Sequence, residues 1–133
     1  FILTILNLYS VNRHYYGNYF YQPNIIKVAS DIKVSKYKYL YLFGASDLIY
    51  PLSGKLPPQK TYLPSLPWYH HYPPYKNQLL SIMDTPDTLI VVDTNFEVDN
   101  VKLIYSSSDI YNHIKTNFEL IESADGYDFY TKK

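Results

Sequence analysis

In TLIVVD, residues 88–93, the five residues from Thr88 to Val92 are read as the most hydrophobic run of the chain. It is mostly β-branched and carries no charge before Asp93. Thr85-Pro86-Asp87 bounds it on the other side, so the run predicts a strand buried on both faces, as in a parallel sheet covered by helices. Tyr37 to Phe43 predicts a second strand. There Tyr39, Tyr41 and Phe43 share one face and Leu40 and Leu42 the other, and both faces are again read as covered.

Helical spacing fills the intervals. Ile25, Ile26, Val28, Ala29 and Ile32 form one apolar stripe, with Asn24 as its expected N-cap. Gly44 ends the strand before it, Ser46 and Asp47 can cap a short helix through Tyr50 to Leu52, and Ser53-Gly54 stops that helix. Pro57, Pro58, Pro64, Pro67, Pro73 and Pro74 predict an extended loop over residues 55–74. Tyr75, Leu79, Ile82 and Met83 then form the inward face of a helix leading to the central strand.

Beyond Asp93 an acidic turn is expected through Glu97, Asp99 and Asn100. Ser108 and Asp109 are placed to cap a helix bearing Ile110, Tyr111, Ile114 and Phe118. Phe118 to Glu122 and Tyr127 to Thr131, joined at Asp125-Gly126, predict a hairpin. The order gives an α/β fold, a small layered sandwich with two parallel central strands, a C-terminal antiparallel hairpin and helices packed on the sheet. Residues 23–133 are read as its single domain.

Lys plus Arg and Asp plus Glu are both 12 and the formal net charge is zero. On that balance no field of one sign is expected to steer nucleic acid or an anionic membrane. Arg13 is the lone arginine, so the bidentate reader of phosphate and guanine is nearly absent. With no cysteine, disulfides and thiolate chemistry are excluded. The opening FILTILNL is followed by Tyr9, Tyr15, Tyr16, Tyr19, Phe20 and Tyr21. Residues 1–22 are read as the end of a membrane helix leaving through an aromatic interfacial belt, or alternatively as a first element packed on the core.

The chemistry-bearing residues are few. His70-His71 is the histidine pair, but neighbours in extended chain point apart, and no further ligand spacing supports a metal. Asp93, at the end of the central strand, is either a binding group or the cap of its own turn. FGASDLIY lacks the spacing of a dinucleotide fingerprint, and Ser53-Gly54 lacks the flanking glycine of a nucleophile elbow. No catalytic residue, metal or cofactor is expected. Tyr62, Trp68, Tyr69, Tyr72 and Tyr75 among prolines form the best contact surface, suited to sugar rings, lipid head groups or a protein. Their alternative role is to roof the core.

The block order resembles the C-terminal soluble domain of GT-C-type membrane glycosyltransferases of the protein mannosyltransferase and aminoarabinose transferase group. FILTILNLY is similar to a last membrane helix and NIIKVASDIK to the helix that follows. YLYLFGASDLIYPLSGKLPP is similar to the family's strand-glycine segment. The run ending IVVD is similar to its central strand, and FELIESADGYDFYTKK to its final hairpin. The resemblance implies a polyprenyl-phosphate-sugar donor, a glycan or protein acceptor, and an extracytoplasmic accessory domain beside a membrane-embedded catalytic part, without nucleic acid. The family's catalytic carboxylate has no counterpart in this chain. Gly44, Tyr50, Ser53, Gly54 and Pro57 match the strand-glycine pattern, with Tyr62 and Trp68 in the loop. On this reading Tyr50, Lys55, Lys60, Tyr62, Trp68 and Tyr69 contact substrate or acceptor. Family members often carry arginine where this chain has Lys55 and Lys60, and lysine lacks the bidentate fork for phosphate. Two further readings remain: a stand-alone carbohydrate- or protein-binding module, and a small enzyme using His70 or His71 with Asp93.

Overall fold

A computed structural model describes residues 23–59 and 65–133. The expected membrane helix and aromatic link at 1–22, and the candidate residues Lys60 and Tyr62, lie outside the described residues. In chain order the elements are α1 (Pro23–Val34), β1 (Tyr39–Phe43), α2 (Ile49–Ser53), α3 (Pro67–His70), α4 (Pro73–Met83), β2 (Thr88–Asp93), β3 (Glu97–Val98), β4 (Val101–Lys102), α5 (Leu103–Ser106), α6 (Ser108–Asn117), β5 (Phe118–Ala124) and β6 (Tyr127–Lys132).

The fold is α/β, with a mixed sheet in the order β1-β2-β6-β5. β1 and β2 run parallel with Leu40 opposite Leu89 and Phe43 opposite Val92. β6 joins β2 antiparallel, and β5 pairs with β6 through the hairpin. Of the parallel pair, β2 is interior and β1 is an edge strand.

The period of two in β1 and β2 sorts their side chains into two cores. Leu40, Leu42, Leu89 and Val91 meet Ile25, Val28, Ala29 and Ile32 of α1. Tyr41, Phe43, Ile90 and Val92 meet α4, α5 and α6 through Leu79, Met83, Leu103, Ile110 and Ile114. Helices therefore cover both faces, and each buried aliphatic contributes about 1.5–3 kcal/mol. This is why TLIVV reads as continuous hydrophobicity rather than alternation.

β1 is sealed by the chain that follows α2. The Leu40 N–H donates to the Leu56 carbonyl at 2.9 Å. The Tyr50 hydroxyl donates to the Leu40 carbonyl at 3.1 Å, and the Ser65 hydroxyl to the Leu42 carbonyl at 2.7 Å. An unpaired strand edge is a template for aggregation, and these contacts remove it.

The extended loop expected over 55–74 is corrected at its C-terminal part. Pro67 opens α3, and Pro73 and Pro74 open α4, at first-turn positions. A proline there loses only an N–H that has no helical partner, and its fixed φ suits the helix. The acidic turn closes a small hairpin, β3 and β4, and its Asp99 and Asn100 both have positive φ as a tight two-residue turn requires. The N-cap of α6 is Ser107 rather than Ser108.

Candidate contact surface

α3 is one helical turn. Leu66 enters it extended, and its carbonyl receives the N–H groups of Tyr69 at 3.0 Å and His70 at 3.2 Å. Successive residues on a helix diverge by about 100°, so this turn splits its side chains. Trp68 and Tyr69 are 55% and 41% exposed, while His70 is 0% exposed.

His70 is the anchor. Its Nδ1 lies 2.7 Å from the Ser107 hydroxyl. Its ring stacks on Phe43, with centroids 5.6 Å apart and planes inclined by 13°. Phe43 in turn stacks on Tyr111 of α6. On the outer side Tyr75 lies 6.5 Å from His70 and 5.1 Å from Tyr69, which lies 6.5 Å from Trp68. A continuous run of rings thus leads from the surface at Trp68 to α6. Tyr72, 59% exposed, follows at the N-cap of α4.

Burial pushes the His70 imidazole down to about 4, against the pull of Asp109 and with the help of His71. His70 is neutral at pH 7, and its Nε2 has no hydrogen-bond partner among the described residues. Ser107 is also fully buried. It occupies the N-cap of α6 yet makes no side-chain cap bond; its hydroxyl serves His70 instead. Asp109 supplies the acidic group in the first turn and pairs with Lys76 of α4. Burial works against the Asp109 carboxylate, but Lys76 and the Ile110 N–H hold its pKa below the ordinary value. The histidine and serine, both buried, form a staple joining α3 to the start of α6.

The remaining candidates have definite places. Gly44 takes φ +74°, and a Cβ there would stand 3.0 Å from the Phe96 Cβ and 3.1 Å from Leu103, so the β1 terminus is packed under the loop after β2. The Tyr50 phenol is pushed up by burial and by Asp47, opposed by the backbone N–H of Leu42; its oxygen bridges the β1 edge. The Lys55 ammonium donates to the carbonyls of Ser35 at 3.0 Å and Tyr37 at 2.6 Å. Ser53 donates to the Tyr50 carbonyl and accepts from the Lys55 N–H. Gly54, at φ +69°, closes α2 by donating to the Tyr50 carbonyl. Pro57 lies half-buried just past Leu56.

Asp93 accepts the Asn95 N–H at 2.8 Å. Burial raises its pKa, while the Asn95 and Phe96 N–H groups and Lys102 work to lower it. Its contacts are those of a turn cap, and His70 belongs to the separate α3–α6 network. His71 is exposed. Among the described residues no group of three or more His, Cys, Asp or Glu side chains could hold a metal ion. A groove of about 90 Å³ between α1 and the β5–β6 hairpin, floored by Ile32, Leu89 and Phe129, includes none of the candidate residues.

The structure therefore brings together Trp68 and Tyr69 with Tyr72 and Tyr75. It commits Tyr50, Lys55, Ser53 and Gly54 to local contacts. Sequence reasoning missed the His70–Ser107 staple. Pro67 before Trp68-Tyr69-His70 is a helix-start signal that could have placed His70 on a turn, whereas nothing in the Ser106-Ser107-Ser108 run singles out Ser107. No protein-family model, no curated protein and no solved structure matches this chain.

Proposed function

We propose that this chain is an accessory, extracytoplasmic C-terminal domain of a membrane glycosyltransferase that uses a polyprenyl-phosphate-linked sugar donor. On this reading its α3 aromatic face shapes access of a glycan or protein acceptor to a membrane-embedded catalytic part of the same protein. The observation that carries the reading is the outward presentation of Trp68 and Tyr69 on a turn fixed from beneath by buried His70, with exposed Tyr72 just after it. Rigid aromatic faces with polar tips suit sugar rings, and a pre-fixed turn lowers the ordering cost of binding. The block order of the sequence adds the membrane-transferase context. Among the described residues no helix is long and apolar enough to cross a membrane.

The coding sequence leading into Phe1 tests this context. Several apolar spans of about 20 residues each are expected there. A short open reading frame without them would contradict the transferase reading and favour a stand-alone carbohydrate- or protein-binding module using the same aromatic face.

A further inference from the structure

The formal net charge of zero conceals a segregation along the strand axis. β1 and β2 begin at one end of the sheet, and β6 finishes there. α1 descends to the same end, where the Lys55 ammonium clamps the Ser35 and Tyr37 carbonyls that follow it. Lys33, Lys36, Lys38, Lys55, Lys132 and Lys133 therefore gather at this end. The acids beside them are Asp31 near the end of α1, Asp84, held by Lys132 at 3.4 Å, Asp87 and Glu119, so lysines outnumber acids there. The opposite end carries Asp47, Asp93, Asp99 and Asp109, together with Asp125 and Asp128 around the β5–β6 turn; there Lys27 pairs with Asp125, Lys76 with Asp109, and Lys102 lies near Asp93, so the acids are only partly balanced.

The lysine end is also apolar at its tips. Val34 is 83% exposed and Leu56 is 68% exposed. The ammonium groups of Lys36 and Lys38 lie over the half-buried rings of Tyr37 and Tyr39, at 5.5 and 5.0 Å from the centroids. We propose that this end docks on an anionic lipid surface, the lysines meeting headgroup phosphates while Val34 and Leu56 enter the headgroup layer. Lysine in place of arginine, and tyrosine faces already occupied by ammonium groups, favour lipid over nucleic acid, which would use bidentate guanidinium and open rings for stacking. This surface shares no residue with the α3 face, and its docking holds whether or not the transferase reading does.

Co-sedimentation of the full chain with vesicles of pure phosphatidylcholine, or containing about one-third phosphatidylglycerol, tests the proposal. Binding to the anionic vesicles is expected to exceed binding to neutral ones at least tenfold and to fall with added salt. The triple variant Lys33→Glu, Lys36→Glu, Lys38→Glu should lose that preference, and Val34→Asp should weaken anionic binding with the lysines intact. Binding by any other apolar part of the chain adds equally to both vesicles, so the preference is read after subtracting the binding to neutral vesicles. These positions are exposed, and an unchanged circular-dichroism melt verifies the fold. Equal binding to both vesicles, or a preference that survives charge reversal, would overturn the proposal. So would tighter, lysine-dependent binding to single-stranded RNA than to anionic vesicles.

Discussion

His70 Nδ1 sits 2.7 Å from the hydroxyl of Ser107, 37 residues further along the chain, with both side chains fully buried. This bond fixes the turn that carries the exposed aromatics onto the helix layer. Ser107→Ala would leave the imidazole nitrogen without its partner and is expected to cost about 1–3 kcal/mol. His70→Ala, which also empties an aromatic-sized space, should cost about 3 kcal/mol or more. Urea unfolding measures both, and losses under 0.5 kcal/mol would show that the bond does not anchor α3.

The same histidine gives stability a pH dependence. Its pKa is about 4 in the fold against an ordinary 6.5. Between those values the unfolded chain binds the extra proton, so this contribution is complete above pH 6.5. It declines as pH falls toward 4, by roughly 2–3 kcal/mol in all. Stability measured from pH 7 to 4.5 should therefore fall more steeply in the native chain than in His70→Phe. Parallel profiles would mean that His70 takes up its proton as readily in the fold as in the unfolded chain.

The family resemblance implies that Lys55 and Tyr50 contact substrate or acceptor, and the structure gives each an intramolecular partner. Lys55→Met should destabilise by about 1–2 kcal/mol through loss of two charge-assisted bonds. Tyr50→Phe should cost about 1 kcal/mol and speed amide exchange along β1. A variant of either that keeps full stability but loses ligand binding would restore the contact role.

The two structural glycines should respond unequally to alanine. Gly54, at φ +69°, has nothing within 4 Å of its would-be Cβ, so Gly54→Ala carries only the backbone penalty of about 1 kcal/mol. Gly44→Ala adds a collision with Phe96 and is expected to cost about 1–3 kcal/mol more. Combining it with Phe96→Ala should recover part of that added loss. Equal effects at the two glycines would show that the loop after β2 gives way freely.

The layered architecture was legible because its signals are local. TLIVV, the alternation in YLYLF, the amphipathic stripe of α1 and the Asp125-Gly126 turn each state their own environment. The proline-rich stretch was harder. Prolines exclude helix interiors but favour helix starts, and composition alone does not tell Pro67 at a first turn from Pro57 beside a strand edge. The commitments of Tyr50, Lys55 and Ser65 to distant carbonyls, and of Ser107 to His70, depend on tertiary register that no spacing encodes. Net charge is blind to placement for a related reason: a formal balance of zero does not say at which end of the strands each lysine and aspartate falls.

Trp68 is the single tryptophan of the chain, so its fluorescence reports on the α3 face without labelling. Titration with a short-chain polyprenyl-phosphate mannose and with a panel of glycans is the most direct measurement of whether that face is a contact surface. A saturable blue shift or quench is expected with the sugar ligands, weakened at least fivefold in Tyr69→Ala, Tyr72→Ala and absent with polyprenyl alcohol alone. Emission unchanged across the whole panel, in a chain whose melt shows it folded, would contradict the account.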